Sequence, residues 1–133
     1  MDKTVLSAQD LLEDSIELGI KIVESGFEPT LIIAIWRGGT PVGVALQETL
    51  TYCGIKSDHI AIRTSSYTGV DARGKVAVHG LNYIIKKICH DDRVLIVDDD
   101  PVIRELLTSY LLRDGYQVCS AETAEQAETM LLE

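Results

Sequence analysis

Basic residues are scarce in this sequence of 133 residues. Twelve lysines and arginines stand against 21 aspartates and glutamates, which gives a formal net charge of −9. Nucleic acids and anionic membranes attract proteins through clustered basic side chains, so this deficit argues against both as partners. The acidity is also uneven, because residues 1–92 hold 12 acids and 9 bases whereas residues 93–133 hold 9 acids and 3 bases. This change in charge is a first sign of two parts with different origins.

Cysteines are also few, and the three present (Cys53, Cys89 and Cys119) are widely separated. Without a C-x-x-C pair they predict neither a zinc site nor a disulfide framework, and we expect buried, reduced thiols. No apolar run approaches the roughly 18 residues of a membrane-spanning helix, and the amino terminus lacks the pattern of a signal peptide. We therefore expect a cytoplasmic protein with a single domain over residues 1–133.

Five short apolar runs predict β-strands, since each is bounded by polar residues or glycine. They lie at about 31–36, 59–63, 76–79, 93–98 and 116–121. The run from Val94 to Val97 is apolar at four successive positions, which is typical of a strand buried on both faces of a parallel sheet. Residues 64–75 are polar and contain glycines, and they predict a mobile loop.

Helix signals separate most of these strands. Ser7 and Asp10 have the spacing of a capping box. The helix that follows has an apolar stripe formed by Leu12, Ile16, Ile20 and Val23, and it ends at Gly26. Further helices are predicted from Val42 to about Tyr52, from Pro101 to Gly115, and from Thr123 onward. The helix from Pro101 has an apolar stripe formed by Val102, Ile103, Leu106, Leu107, Tyr110 and Leu111. Residues 81–88 show no clear period.

The first strand runs directly into the loop Arg37-Gly38-Gly39-Thr40-Pro41. Its two glycines let a ligand approach the main chain, and Pro41 suits the first turn of a helix. A strand, a glycine loop and a helix amino terminus together form an anion site, because amide donors and the helix dipole are directed at it. A tight turn that binds nothing is the alternative interpretation of this pattern.

Three carboxylates, Asp98, Asp99 and Asp100, come at the end of the strand at 93–98. Ligands of open α/β sheets collect at the carboxyl ends of parallel strands, so these acids lie where chemistry is expected. Because Mg²⁺ prefers oxygen ligands, they predict a weak magnesium site. In the alternative interpretation Asp100 only caps the helix that begins at Pro101, while Asp98 and Asp99 remain solvated.

Residues 1–99 resemble the amino-terminal part of a type I phosphoribosyltransferase, most of all the hypoxanthine or xanthine salvage enzymes. Trp36-Arg37-Gly38-Gly39-Thr40 matches that family's pyrophosphate loop, and residues 65–80 match its flexible hood loop. Asp98 and Asp99 match the acids that contact the ribose hydroxyls of the phosphoribosyl pyrophosphate donor. With right-handed crossovers, the resemblance implies a three-layer α/β/α sandwich with a mostly parallel five-stranded sheet in the order 3-2-1-4-5, strand 3 being antiparallel.

The match to the phosphoribosyltransferases ends after Asp99. That family has there a loop rich in threonine, serine and glycine, whose amides hold the donor's 5′-phosphate, whereas this sequence has Asp100-Pro101-Val102-Ile103-Arg104. Proline lacks an amide hydrogen, and Asp100 would repel the phosphate at a cost on the order of 1–4 kcal/mol per charge pair at about 4 Å. The purine-contacting segment of the family has no counterpart in these residues. The resemblance therefore predicts an incomplete donor site.

Residues 93–133 resemble the beginning of a response-regulator receiver domain, which has a flavodoxin-like fold. The segment VLIVDDDPVIRELLTSYLLRDGYQVCSAETAEQAETMLLE matches that family's first strand, first helix, second strand and second helix. In this match Asp98 and Asp99 correspond to acids that help to bind Mg²⁺. The family's phosphoacceptor aspartate, switch threonine and lysine lie on later strands, so we expect no phosphorelay from these residues.

Both families have a strand of the form V-L-I-V-D-D, and the sequence passes from one to the other inside it. We interpret the chain as an engineered or recombinant fold chimera, in which a phosphoribosyltransferase-like fragment (1–92) and a receiver-like fragment (93–133) share one strand. We expect a monomer or homodimer with a partial crevice for phosphate, pyrophosphate or sulfate and no complete enzyme activity. The alternatives are a purine-type phosphoribosyltransferase with residual activity and a receiver-derived signalling or binding module.

Overall fold

The computed structural model describes residues 5–66, 76–79, 81–98 and 101–121. The helices are α1 (Ala8–Ser25), α2 (Gly39–Tyr52), α3 (Leu81–Lys87) and α4 (Pro101–Arg113). The strands are β1 (Leu31–Trp36), β2 (Asp58–Ser66), β3 (Val76–His79), β4 (Arg93–Val97) and β5 (Gln117–Ala121). The expectations for residues 67–75, for Asp99 and Asp100, and for a helix from Thr123 onward lie outside the described residues.

The strands form one sheet in the order β3-β2-β1-β4-β5. Strands β2, β1, β4 and β5 run parallel, and β3 pairs antiparallel with the end of β2. The predicted α/β fold with a parallel sheet is confirmed. From β1 the chain continues to β2 on one side, and from β4 it continues to β5 on the other. The carboxyl ends of β1 and β4 therefore flank the point at which the chain changes direction, where open α/β sheets bind their ligands.

Helices cover both faces of the sheet, because successive strand residues point to opposite sides. On one face Leu18 and Ile22 of α1 and Leu46 and Leu50 of α2 pack with Ile32, Leu95, Val97 and Cys119. On the other face Ile84 of α3 and Leu107 and Leu111 of α4 pack with Leu31, Ile33, Ile35, Ile62, Val94 and Ile96. Since the second face joins α4 to residues of β1 and β2, the two parts of the chain share one hydrophobic core.

Helix α1 begins and ends as the sequence predicts, but it presents a different face to the core. Ser7 and Asp10 form the capping box, and Gly26 ends the helix at φ 82°. The residues that α1 buries include Leu18 and Ile22. The predicted stripe lies mainly outside the core, because its first three residues are exposed (Leu12 46%, Ile16 39%, Ile20 45%).

The rotation of α1 has a physical cause in its contact with α2. A Cβ atom at Gly19 would come within 2.7 Å of the Thr49 Cγ2 atom, so the two helices approach closely at this point. A helix packed against both a sheet and a second helix turns its smallest residues toward the close contact. The 3.6-residue period of the sequence alone does not distinguish this face from the neighbouring apolar one.

Other boundaries also differ from the sequence prediction. Helix α2 begins at Gly39 rather than Val42, because the preceding Gly38 already has helical angles (φ −59°, ψ −37°). Helix α3 occupies part of the segment that lacks a period. Lys87 of α3 forms an ion pair with Asp58 and donates a hydrogen bond to the Tyr83 hydroxyl at 3.0 Å. Polar contacts therefore help to position this short helix, and they leave no periodic signal.

The cysteines agree with the prediction in part. All three are free thiols, as expected. Cys119 is buried in β5, and burial raises the pKa of its thiol to about 11. Cys53 and Cys89 are exposed, so the expected burial is wrong for these two. They follow the last turns of α2 and α3, where the chain runs over the surface.

A hydrogen-bond cluster joins the starts of β1 and β4. The Thr30 hydroxyl donates to the Asp92 Oδ1 atom at 2.7 Å and accepts from the Arg93 amide at 2.9 Å. The Thr30 amide donates to the Arg93 carbonyl at 2.9 Å. The other carboxylate oxygen of Asp92 accepts from the Cys89 amide at 2.7 Å. Thr30 therefore connects the amino-terminal part of the chain to the strand in which the two resemblances meet.

We expect Thr30→Val to lower the free energy of unfolding by about 1–3 kcal/mol, because the part-buried Arg93 amide and Asp92 carboxylate each lose a hydrogen-bond partner. Urea denaturation, monitored by circular dichroism, measures this free energy. Thr51→Val, at an exposed position of α2, is the matched control and should change stability by less than about 0.5 kcal/mol. Equal effects of the two substitutions would contradict the role of Thr30.

Candidate functional site

The loop between β1 and α2 lies against the end of β4. Ala34 pairs with Val97, two residues before the end of β1. Gly39 is buried at the first position of α2, and a Cβ atom there would overlap the Val97 carbonyl oxygen. Only glycine therefore permits this backbone contact. The structure thus brings the predicted loop Arg37–Thr40 next to the residue that precedes Asp98.

The loop offers several groups to an anion. Arg37 is exposed, and the peptide bond that precedes it is cis. The Thr40 amide donates to the Arg37 carbonyl at 3.1 Å, and Gly38 and Gly39 carry two further amides of the loop. The Thr40 hydroxyl oxygen is buried and has no hydrogen-bond partner among the described residues. A guanidinium, a hydroxyl and two amides at a helix amino terminus are suited to bind a small anion.

Asp98, the one of the three predicted carboxylates that the structure describes, directly follows β4. It is 5% exposed, so the alternative interpretation in which Asp98 remains solvated is wrong. The Arg104 guanidinium, itself 9% exposed, donates from Nη1 to the Asp98 carbonyl oxygen at 2.8 Å. The first turns of α4 therefore place a buried cation beside the predicted acid.

Of the three predicted magnesium ligands, Asp98 alone belongs to the described residues. No group of three histidine, cysteine, aspartate or glutamate side chains suited to a metal ion occurs in residues 5–66, 76–79, 81–98 and 101–121. Since Mg²⁺ requires six oxygen ligands, Asp98 alone does not fit it. A site would need Asp99 and Asp100, so magnesium binding stays a prediction.

His59, the second residue of β2, is a partly buried polar residue that the sequence does not single out. A Cβ atom at Gly43 of α2 would come within 2.7 Å of the His59 Nε2 atom and 2.9 Å of the Ala34 Cβ atom. Nε2 is buried and has no hydrogen-bond partner among the described residues. Burial lowers the pKa of His59, although the neighbouring Asp58 carboxylate opposes this shift. A histidine in an alternating strand has no sequence signal that would show such packing.

Solved structures share this architecture. A purine phosphoribosyltransferase from Pyrococcus horikoshii Ot3 is 23% identical, with a TM-score of 0.65 over 91% of this chain and 76% of that one. A Neisseria gonorrhoeae protein of unassigned function, solved with bound ppGpp, is 22% identical, with a TM-score of 0.67 over 86% of this chain and 66% of that one. The L. donovani hypoxanthine-guanine phosphoribosyltransferase is 18% identical, with a TM-score of 0.66 over 90% and 70%. The fold is therefore phosphoribosyltransferase-like.

The sequence comparison found a different kind of relative, a transcriptional regulator. The transcriptional regulatory protein AruR of Pseudomonas aeruginosa is 66% identical over 41 residues, which is the length of the segment 93–133. These residues make up 31% of this chain, and the chain spans only 17% of the length of that regulator. No protein-family model matches the chain. In the part that the structure describes, no helix has the length and apolar character needed to cross a membrane.

We expect Gly39→Ala to destabilise the fold by about 1–3 kcal/mol, because the added methyl group would force the loop away from the Val97 carbonyl. Gly38→Ala is the matched control, since Gly38 is exposed and has angles open to alanine. The control should retain or slightly increase the stability. Thermal unfolding of both variants provides the measurement. An unchanged unfolding temperature for Gly39→Ala would contradict the close backbone contact.

We expect the stability to fall as the pH decreases below about 6.5, in part because of His59. Its pKa in the folded protein lies below the ordinary value of 6.5, so acid protonates the unfolded chain first. The stabilising contribution is complete above that value and is lost on acidification. Urea midpoints between pH 5 and 8 should therefore vary less in His59→Gln than in the wild type. His90→Gln, at an exposed position, is the control. If the urea midpoint of His59→Gln depended on pH as strongly as that of the wild type, His59 would be excluded as the origin of the effect.

Proposed function

We propose that the chain is a recombined α/β domain that binds a small inorganic anion, phosphate, pyrophosphate or sulfate, without completing a phosphoribosyl transfer. The contact of Gly39 with the Val97 carbonyl supports this function best, because it holds the start of α2 against the residue that precedes Asp98. The loop supplies positive charge and hydrogen-bond donors in a chain whose net charge is −9. An anion is therefore bound by local geometry, against the overall charge.

The carboxylate side of the crevice argues against the complete donor. Helix α4 begins at Pro101, which has no amide hydrogen, and Asp100 precedes it. A 5′-phosphate at this position would meet a carboxylate where a phosphoribosyltransferase has amide donors. The ribose contacts of Asp98 and Asp99 and a weak Mg²⁺ site with Asp100 belong to the same proposal. Neither the ribose contacts nor the Mg²⁺ site is accompanied by the amide donors for a 5′-phosphate that phosphoribosyl transfer requires.

The similarity to AruR supports two origins for the chain. We assign the 66% identity to residues 93–133, because this segment has the matching length and resembles a receiver domain. Residues 1–92 and 93–133 then form a single domain through β4, which both families can supply. A cytoplasmic location and a monomeric or homodimeric state are part of this proposal.

A residual purine phosphoribosyltransferase is the second candidate. The fold similarity to the Pyrococcus and L. donovani enzymes and the position of the loop Arg37–Thr40 favour it. Purine-dependent release of pyrophosphate from phosphoribosyl pyrophosphate would establish this activity. A receiver-derived module is the third candidate, supported by the AruR match, and a conformational response to beryllofluoride or acetyl phosphate would reveal it.

We expect pyrophosphate to bind more tightly than phosphoribosyl pyrophosphate, since the donor adds a repelled 5′-phosphate. Isothermal titration calorimetry of both ligands, with and without Mg²⁺, measures the order. Arg37→Gln should weaken pyrophosphate binding about tenfold, a change of about 1.4 kcal/mol that is typical of a charged hydrogen bond. Arg113→Gln is the matched control, because Arg113 is exposed at the end of α4, away from the loop.

Asp100→Asn separates the proposal from its enzymatic alternative. The substitution removes one negative charge, so donor binding should improve, but Pro101 still lacks an amide hydrogen and turnover should not appear. Donor binding tighter than pyrophosphate binding in the wild-type chain, or measurable turnover, would overturn the proposal in favour of the transferase. Loss of pyrophosphate binding in both arginine variants alike would exclude the loop as its site.

A further inference from the structure

A line of apolar side chains lies on the outer surface of α1. Leu12, Ile16 and Ile20 follow one another at intervals of four residues, and each is between 39% and 46% exposed. At 1.5 Å per residue the line is about 12 Å long. Single exposed apolar residues are ordinary on a protein surface, but a continuous row on one helix face is typical of an interaction site. We call these three residues the α1 stripe.

The α1 stripe is distinct from the face that α1 uses for its own fold. Leu18 and Ile22 pack into the core, and Gly19 approaches Thr49 of α2. With 100° between successive residues, the α1 stripe lies on the side of the helix next to this buried face. It also lies on a different element from the Arg37–Thr40 loop. The fold and the anion site therefore leave the α1 stripe without an assigned role.

Acidic side chains border the α1 stripe on its other side. Helix α1 has five acids and a single base, and the acids are Asp10, Glu13, Asp14, Glu17 and Glu24. Glu13 and Glu17 each follow a stripe residue directly, so both lie along its edge. The base, Lys21, has its Nζ atom 3.7 Å from the Glu17 Oε1 atom. The surface thus combines an apolar row with a parallel negative border.

We propose that this surface binds a cationic amphipathic helix of a partner protein. The apolar face of such a helix would cover the α1 stripe, and its lysines or arginines would meet Glu13 and Glu17. Helix-in-groove recognition uses apolar anchors at this spacing, and complementary charge sets the partner and the association rate. The proposal is independent of the anion site, because the two surfaces have opposite charge and share no residue.

The charge distribution argues against other occupants. A second copy would bring another acidic α1 against the first, in a chain that already has a net charge of −9. Residues 122–133 of the same chain contain four glutamates and no base, so they have the same sign as α1. An anionic membrane surface would be repelled for the same reason. A cationic helix combines an apolar surface with the opposite charge.

A synthetic peptide tests the proposal directly. The probe is an 18-residue fluorescent helix with leucine on one face and lysine on the other, and a peptide with glutamate in place of lysine is its counterpart. Fluorescence anisotropy should show 1:1 binding of the lysine peptide to the full chain and at least tenfold weaker binding of the glutamate peptide. Binding should also weaken as the salt concentration rises from 50 to 500 mM.

Substitutions on α1 locate the binding surface. Ile16→Asp should weaken lysine-peptide binding at least tenfold, whereas Leu112→Asp, at a 54% exposed position of α4, should leave it unchanged. The double substitution Glu13→Gln and Glu17→Gln keeps the apolar row and should reduce both the affinity and its salt dependence. Circular dichroism and thermal unfolding show that each variant is folded.

Four results would overturn the proposal. They are equal binding of the two peptides, equal effects of Ile16→Asp and Leu112→Asp, a salt dependence that the glutamine substitutions do not alter, and a wild-type dimer that Ile16→Asp dissociates. The last result would identify a second copy as the occupant. Failure of wild-type binding together with a loss of thermal stability in Ile16→Asp would instead show that the chain covers the α1 stripe itself.

Discussion

The position of the Val97 carbonyl oxygen, in the space that a side chain at residue 39 would fill, controls the geometry of this protein. The contact depends on the parallel pairing of β1 with β4, in which Ala34 lies beside Val97. It holds the start of α2 against the end of β4. Because the contact is between backbone atoms, the side chains of both strands remain free to fill the core on either side. The closeness of the loop Arg37–Thr40 to the end of β4 follows from this arrangement.

The same pairing explains how segments that resemble two different families can share one core. Val94, Leu95, Ile96 and Val97 are between 0% and 3% exposed, so β4 contacts its surroundings mainly through apolar packing. Apolar packing depends on size and shape and does not require a particular family's residues. Thr30 adds polar contacts at the start of the strand. Capping, periodicity and burial therefore agree on both sides of β4, which is the condition for a single folded state.

The requirements of the fold and those of a phosphoribosyl-donor site differ in the segment after β4. The sheet order and both helical layers need only apolar faces and right-handed crossovers. A donor site needs specific amide donors at specific positions, and the segment after β4 instead begins a helix at Pro101. Arg104, which donates to the Asp98 carbonyl, belongs to that helix. A chain can thus keep the architecture of a phosphoribosyltransferase while its ligand chemistry changes, since function depends on local groups.

The local signals of the sequence determined much of this fold and the location of the candidate site. The capping box of Ser7 and Asp10, the left-handed Gly26 and the strands at 31–36 and 76–79 depend on neighbours in the chain, and they agree with the structure. The parallel α/β architecture followed from the resemblance to the phosphoribosyltransferases, and the strand order places the end of β1 beside the end of β4.

Tertiary packing decided the features that involve distant residues. The rotation of α1, which exposes Leu12 and Ile16, depends on the approach of Gly19 to Thr49 across two helices. The burial of Asp98 and Arg104 depends on where α4 packs. The burial of the His59 Nε2 atom against Gly43 depends on the pairing of β1 with β2 beneath α2. A sequence pattern records which residues are apolar, but contacts between elements select the apolar face that is buried and the polar atoms that lose water.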